Sequence, residues 1–204
     1  METTPTEGLR ARKKRLTREA IATTAARLFA ERGYDAVTVG AVARAADVSE
    51  QTVYNYFPTK EHLVFDKADT FEAALREMII NRPAGGRLLG GLRPGVARFI
   101  DDAIRSPSPG GMPRLVAVSP ALRRSWLDLI DKHADSLART LVDESAGALS
   151  VPTARILAGA ILAVFDVVVR ELGRPDPIEP HVVDELRRHV TVALDHLEHG
   201  LARL

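Results

Sequence analysis

The 204-residue sequence has no cysteine, which excludes disulfides, thiolate metal sites and a cysteine nucleophile. It has no bulk excess of either charge: 28 Lys and Arg stand against 27 Asp and Glu, a net +1, so it is not a globally basic polyanion binder. Its longest strongly apolar run, Ile156 to Val169, is interrupted by Asp166 and predicts no membrane span. The opening residues, "METTPTEGLRARKK", hold no apolar segment that could serve as a secretory signal, and a soluble, cytoplasmic protein is expected. No glycine-rich phosphate loop, serine nucleophile elbow or HExxH motif occurs, so an enzyme is not expected. Aromatic residues are sparse at 5%.

What is there has the balance of a globular chain, 46% apolar and 27% charged, long enough for one sizeable core or a small domain joined to a larger one. The charge is uneven. Residues 1–60 carry 10 basic against 7 acidic groups, whereas the remainder carries 18 against 20. Arg10, Arg12, Lys13, Lys14, Arg15 and Arg18 form a basic cluster free of acids, read either as a flexible arm for a polyanion or as a plain solvated tail.

Three short helices are predicted, near 17–32, 38–45 and 49–56. In each, an apolar residue precedes a Thr or Ser cap, and a second apolar residue lies four positions after the cap: Leu16, Thr17 and Ile21; Val37, Thr38 and Val42; Val48, Ser49 and Val53. Gly33 closes the first helix, and Ala46-Asp47-Val48 alone joins the second to the third. A joint that tight predicts a helix-turn-helix. The third helix is stopped by Pro58, yet Tyr54, Tyr56 and Phe57 crowd its end. Val53 and Phe57 fit as core anchors, leaving a face of Gln51, Thr52, Asn55 and Tyr56 with Tyr54 nearby. Gln and Asn suit adenine edges, Thr a base or a thymine methyl, and Tyr hydroxyls phosphate oxygens. Lys60 and the first amides of a following helix suit phosphates too. The plainer alternatives are packed tyrosines and ordinary surface amides.

Thr38 to Leu63, "TVGAVARAADVSEQTVYNYFPTKEHL", closely resembles the DNA-binding signature of the TetR family of transcriptional regulators, at Thr38, Val42, Ala43, Ala46, Val48, Ser49, Thr52 to Tyr54, Tyr56, Phe57, Lys60, Glu61 and Leu63. The upstream "ARLFAERGYDAVTV" resembles the family's first helix and its exit, so the likeness spans about residues 10–65. One departure is Asp47, where the family usually has Gly; a left-handed backbone is expected there, which Asp tolerates. The resemblance implies that Thr38, Tyr54 and Lys60 contact phosphates, that the exposed face of Ser49 to Tyr56 reads bases, and that the arm lies along the backbone or in the minor groove of double-stranded DNA.

The rest is expected to be helical: from Glu61 to before Arg82, then near 93–105, 119–146, 153–172 and 179–201. "PAGGRLLGGLRPG" (83–95) and "SPSPGGMP" (106–113) read as breaks. The fold class is therefore all-α, with a flexible basic arm (1–16), a three-helix DNA-binding domain (17–60) and a larger helical body (61–204). Residues 151–169 are apolar nearly all round and must be covered all round. With the stripe Val182, Val183, Leu186, Val190, Leu194, Leu197 and Leu201, they suggest a homodimer through 153–172 and 179–201. A dimer would set two recognition helices about 34–36 Å apart on a near-palindromic site. Asp166 is expected to pair across that dimer or to face a ligand, pairing being favoured.

The resemblance further implies a small-molecule effector pocket in the helical body, with Phe71, Met78, Phe99, Met112, Trp126 and His133 as candidate lining; core or surface is the plainer reading of each. It implies no cofactor. His196 and His199 beside Asp195 and Glu198 lack a third ligand, and no metal is expected. The leading expectation is a repressor released from its operator by the effector. The alternatives are an activator or architectural DNA-binding protein without an effector, or an interaction module with a vestigial helix-turn-helix.

Overall fold

A computed structural model describes residues 8–66, 68–82, 87–105, 111–176 and 178–201. All the regular elements among them are helical: α1 (Leu9–Arg32), α2 (Val39–Ala45), α3 (Glu50–Tyr56), a 3-10 turn (Glu61–Leu63), α4 (Ala68–Ile80), α5 (Leu92–Ile104), α6 (Gly111–Val118), α7 (Pro120–Glu144), α8 (Val151–Leu172) and α9 (Pro180–Leu201). The chain divides into two compact units, Met1–Asp66 and Lys67–Leu204.

In the first unit, α1 lays Ile21, Ala25, Leu28 and Phe29 against Val42 and Ala43 of α2 and the anchors Val53 and Phe57, all buried. Helix α1 begins at Leu9, so the expected arm is helical from there onward; residues 1–7 lie outside the described residues. Arg, Lys, Leu and Ala are strong helix formers, and nothing between Leu9 and Leu16 breaks a helix. Thr17 is accordingly no cap. Its hydroxyl donates back to the Lys13 carbonyl at 3.0 Å, and Leu16 stands 49% exposed. The unit also runs on to Asp66 rather than ending at residue 60. After Lys60 comes one 3-10 turn instead of the start of a long helix, so the expected phosphate-binding helix N-terminus does not form there.

The second unit has one core. Leu75 and Ile79 of α4, Val96 and Ile100 of α5, Leu137 and Leu141 of α7, Ile161, Leu162 and Phe165 of α8, and Leu186, Val190 and Leu194 of α9 meet in it. Helix α6 occupies part of the expected 106–113 break. Pro113 falls in its first turn, where no backbone N–H is needed, and Pro94 holds the same position in α5. Helix α8 is longer than expected, at 22 residues, and by length and composition alone could cross a membrane. Here its Ala158, Ile161, Leu162, Phe165 and Val168 are completely buried in the unit's core.

Two further expectations change. The α9 stripe is used inside its own unit: Val183, Leu186, Val190 and Leu194 are buried there, so they are closed to a partner. Leu201 is helical, but its side chain lies outside the described residues. Asp166 pairs within the chain, not across a dimer. It accepts from Arg123 at 2.5 and 3.1 Å, Trp126 Nε1 at 2.8 Å and Arg170 Nε at 2.9 Å. Burial raises its pKa, but these donors and the two arginine charges outweigh burial and hold it below the ordinary value.

Candidate nucleic-acid interface

Each helix of the α2–α3 pair is started by a side-chain cap. Thr38 Oγ1 accepts from the Ala41 amide at 3.1 Å, and Ser49 Oγ from the Thr52 amide at 3.0 Å. Between them, Asp47 adopts φ 55°, the left-handed backbone expected. The Val48 amide reaches the Ala43 carbonyl at 3.0 Å and the Asp47 amide the Arg44 carbonyl at 3.3 Å, the two bonds of a Schellman stop. This turn delivers Ser49 directly to its capping position.

Helix α3 has one anchoring side and one open side. Val53 is 0% exposed and Phe57, just past the helix, 1%, whereas Gln51, Tyr54 and Asn55 are exposed and Thr52 and Tyr56 half-buried. Gln51 Nε2 donates to Asn55 Oδ1 at 3.1 Å, one turn apart. The bond uses one donor of Gln51 and the amide oxygen of Asn55. The Gln51 oxygen and the Asn55 amide nitrogen are the complementary pair an adenine edge requires. Thr38, at the start of α2, is exposed, and its hydroxyl still carries a proton to donate.

The α1 extension runs past α3. Arg10, Arg12, Lys13, Lys14 and Arg15 are all exposed, and Arg15 meets Glu19 at 3.0 Å. Ala11, Lys14, Arg15 and Arg18 of α1 face Asn55 and Tyr56 of α3 across a surface cleft of about 340 Å³. The basic cluster and the open side of α3 therefore border one concavity.

Two cations in this region have inward tasks. Lys60 Nζ donates to the Tyr34 carbonyl at 2.7 Å and sits 4.0 Å over the Tyr34 ring. Burial lowers its pKa against the opposing charges of Asp35 and Glu61. Tyr34 donates to Glu61 Oε1 at 2.8 Å, and burial first, then that bond, raises the phenol's pKa. Lys60, expected at a phosphate, is thus engaged in closing the turn after α1. Arg18, the last of the basic cluster, is the second. Its Nη1 donates to the Tyr56 carbonyl at 2.7 Å, its Nη2 meets Asp66 at 2.5 Å, and its guanidinium lies 4.5 Å over the Phe57 ring. The signal for it is register: Arg18 lies three and seven residues before Ile21 and Ala25, on the core face of α1.

The six effector-pocket candidates belong to different packing groups. Phe71 and Phe99 meet at 5.4 Å between ring centroids, and both stack edge-on to Phe165, at 4.8 and 5.3 Å; His133 lies 6.3 Å from Phe71. Phe165, which the sequence shows only as one member of an apolar run, is the centre of that group. Trp126 is instead directed at Asp166. Met78 fills the space over Gly95, where a Cβ would come within 2.4 Å of its sulfur, and Met112 is half-buried on α6. Among the described residues no group of three or more His, Asp or Glu could hold a metal ion. His196 and His199 are bonded to the carbonyls of Val192 and Asp195 on their own helix.

Residues 21–66 match the model of a family described as "Bacterial regulatory proteins, tetR family". The HTH-type transcriptional regulator TcmR of Streptomyces glaucescens is 29% identical over 176 residues, which cover 80% of this chain and 76% of that protein. A TetR-family regulator of Streptomyces coelicolor A3 superposes with a TM-score of 0.57 at 22% identity, over 90% of this chain and 94% of that one. Thermus thermophilus FadR, a TetR-family repressor crystallised with lauroyl-CoA, gives a TM-score of 0.52 at 23% identity, over 87% and 93%. At these identities the structural likenesses show the shared all-helical fold.

Proposed function

We propose, from the family match over residues 21–66 and the 29% identical regulator of Streptomyces glaucescens, that the chain is a TetR-family transcriptional regulator, a dimeric, sequence-specific repressor of a near-palindromic operator that is released by a small molecule. The observation that carries the DNA-binding part is α3 itself: two turns of helix, closed at both ends, with Gln51, Tyr54 and Asn55 open beside a cleft walled by Lys14 and Arg15. In this reading Ser49, Gln51, Thr52, Asn55 and Tyr56 face bases, and Thr38 and Tyr54 face phosphates. The basic residues of α1 follow the phosphate backbone. A helix about 10–12 Å across does not fit a minor groove about 6 Å wide, so their helical setting disfavours the minor-groove option.

The first unit is assigned to DNA and the second to dimerisation and effector binding. Support for the dimer comes from the open side of α8, where Ile156 is 73% and Val167 49% exposed beside the small residues Gly159, Ala160 and Ala163. Val192, 51% exposed, is an apolar residue left open on α9. Support for an effector is that FadR was crystallised with lauroyl-CoA. Release requires the small molecule to favour one arrangement of the paired recognition helices over another; equal affinity for both would shift nothing.

The test is selection of bound fragments from random double-stranded DNA by the purified chain at fixed salt. A two-fold symmetric motif is expected. Binding without a preferred motif, fading steeply with salt, would leave a backbone binder and overturn the reading.

A further inference from the structure

In the sequence Arg18 reads as the last member of the basic cluster, one more cation for phosphate. In the structure it is engaged three times within the first unit, twice at the end of α3. Tyr56 is the last residue of α3, and the Arg18 Nη1 bond of 2.7 Å satisfies its carbonyl, one of the four that a helix leaves unpaired at its C-terminus. A guanidinium there also meets the negative end of the helix dipole. The same group covers Phe57, the buried residue that anchors the helix end, at 4.5 Å. Its other nitrogen meets Asp66, the last residue of the unit, at 2.5 Å. The guanidinium is therefore held from three directions, and its charge is already answered by a carboxylate.

Such a helix needs this. Seven residues make about two turns, too few to be stable on their own hydrogen bonds. Ser49 fixes the beginning, but the last turn carries Asn55 and Tyr56, which line the cleft facing Lys14 and Arg15. If that turn frays or swings, the direction of Asn55 is lost while the basic wall of the cleft is untouched.

Resting on the sequence-specific DNA reading above, we propose that Arg18 is a positioning residue for base recognition: it caps the C-terminus of α3 and so fixes where Asn55 and Tyr56 point, with Asp66 holding the guanidinium in place. Lys14 and Arg15, its neighbours in the cleft, supply charge to the DNA; Arg18 supplies direction. Arg is suited to this because one guanidinium nitrogen donates to the carbonyl while another faces the carboxylate and the group lies over the ring.

The experiment uses the full-length chain and two duplexes of equal length, one carrying the motif enriched in the selection and one scrambled, with affinities measured across a salt series. Arg18→Ala should lower the preference for the motif about tenfold, the worth of one base contact, while scrambled-duplex affinity stays within about twofold and the salt slope is kept. Asp66→Ala, which removes no positive charge, should move the preference the same way by less. Lys14→Ala is the contrast: both duplexes should weaken together and the slope fall by about one. An Arg18→Ala chain that behaves like Lys14→Ala, or that keeps its full preference, overturns the proposal. If that variant melts below the assay temperature, Arg18→Lys and Asp66→Ala decide in its place; unchanged preference in both overturns it equally. A wild-type chain that enriches no motif fails the DNA reading at the earlier step, before any variant is compared.

Discussion

Helices α3 and α8 are held by opposite means. Helix α3 has seven residues and fully buries Val53 alone among them; α8 has 22 and buries nine. In α8 the apolar area removed from water outweighs any one polar contact, at roughly 25 cal/mol per Å². In α3 there is little such area, so the caps at Ser49 and Arg18 and the anchor Phe57 decide whether the helix forms and where it points. The difference follows from what each is for. A helix that must show its side chains to another molecule cannot bury them, and single polar groups take over what burial does elsewhere. Polar groups have the reverse standing in α8, where Asp166 is tolerated because Arg123, Trp126 and Arg170 answer it.

The largest effect should come from breaking that answer. Asp166→Asn is expected to destabilise the second unit by about 1.5–3 kcal/mol at neutral pH, the range for hydrogen bonds to a charged group. The effect should depend on pH with a definite sign. The folded-state pKa of Asp166 lies below the ordinary value of 3.8, so the unfolded chain binds the proton more readily. Stability from this carboxylate is thus fully present above pH 3.8 and drains away as pH falls through the lower folded value. Urea titrations of wild type and Asp166→Asn should converge in acid. A difference constant down to the lowest pH would mean the carboxylate is not the group being measured.

A smaller effect sharpens the contrast directly, because the same cap occurs on both helices. Ser49 accepts from the Thr52 amide at 3.0 Å, and Ser150 accepts from the Thr153 amide at 3.3 Å at the start of α8. Ala in place of either removes about 1 kcal/mol of cap. In α3 that loss should appear as faster hydrogen exchange along the whole helix. In α8 it should be confined to the first turn, since buried residues recur to Leu172. Whole-helix acceleration in α8 as well would show that its burial is worth less than its area suggests.

The same divide explains what could be read before any coordinates. Thr38, Ser49 and Asp47 act on groups within five residues of themselves, so α2, α3 and the turn between them were legible to within a residue. So was the all-helical class, from periodicity. Arg18 and Tyr56 are 38 residues apart, Lys60 and Tyr34 26, Arg123 and Asp166 43. No local pattern couples such pairs, so the sequence points Arg18 to the basic cluster, Lys60 to a phosphate and Asp166 to a dimer or a ligand. Elsewhere one property masks another: the charge of Leu9–Leu16 hides its helix-forming residues, and Gly111 and Pro113 look like breakers although a first turn accepts both.

The smallest expected effect concerns the turn that delivers Ser49 to its cap. Asp47 holds φ 55° with the Schellman bonds already made, so the strain resides in one backbone angle and not in a missing partner. A left-handed conformation costs an ordinary L-residue about 1–2 kcal/mol, and Asp less than most. Asp47→Gly removes that strain but gives the unfolded chain more freedom, so the net gain should be below about 1 kcal/mol. Because the angle and both bonds stay as they are, the DNA sequences that the chain selects should not change. A gain in melting temperature with an unaltered motif would show that α3 is aimed by its caps and its anchor. An altered motif would mean that the side chain of Asp47 shares in setting the angle of α3. The helix would then be held at its entry as firmly as at its two ends.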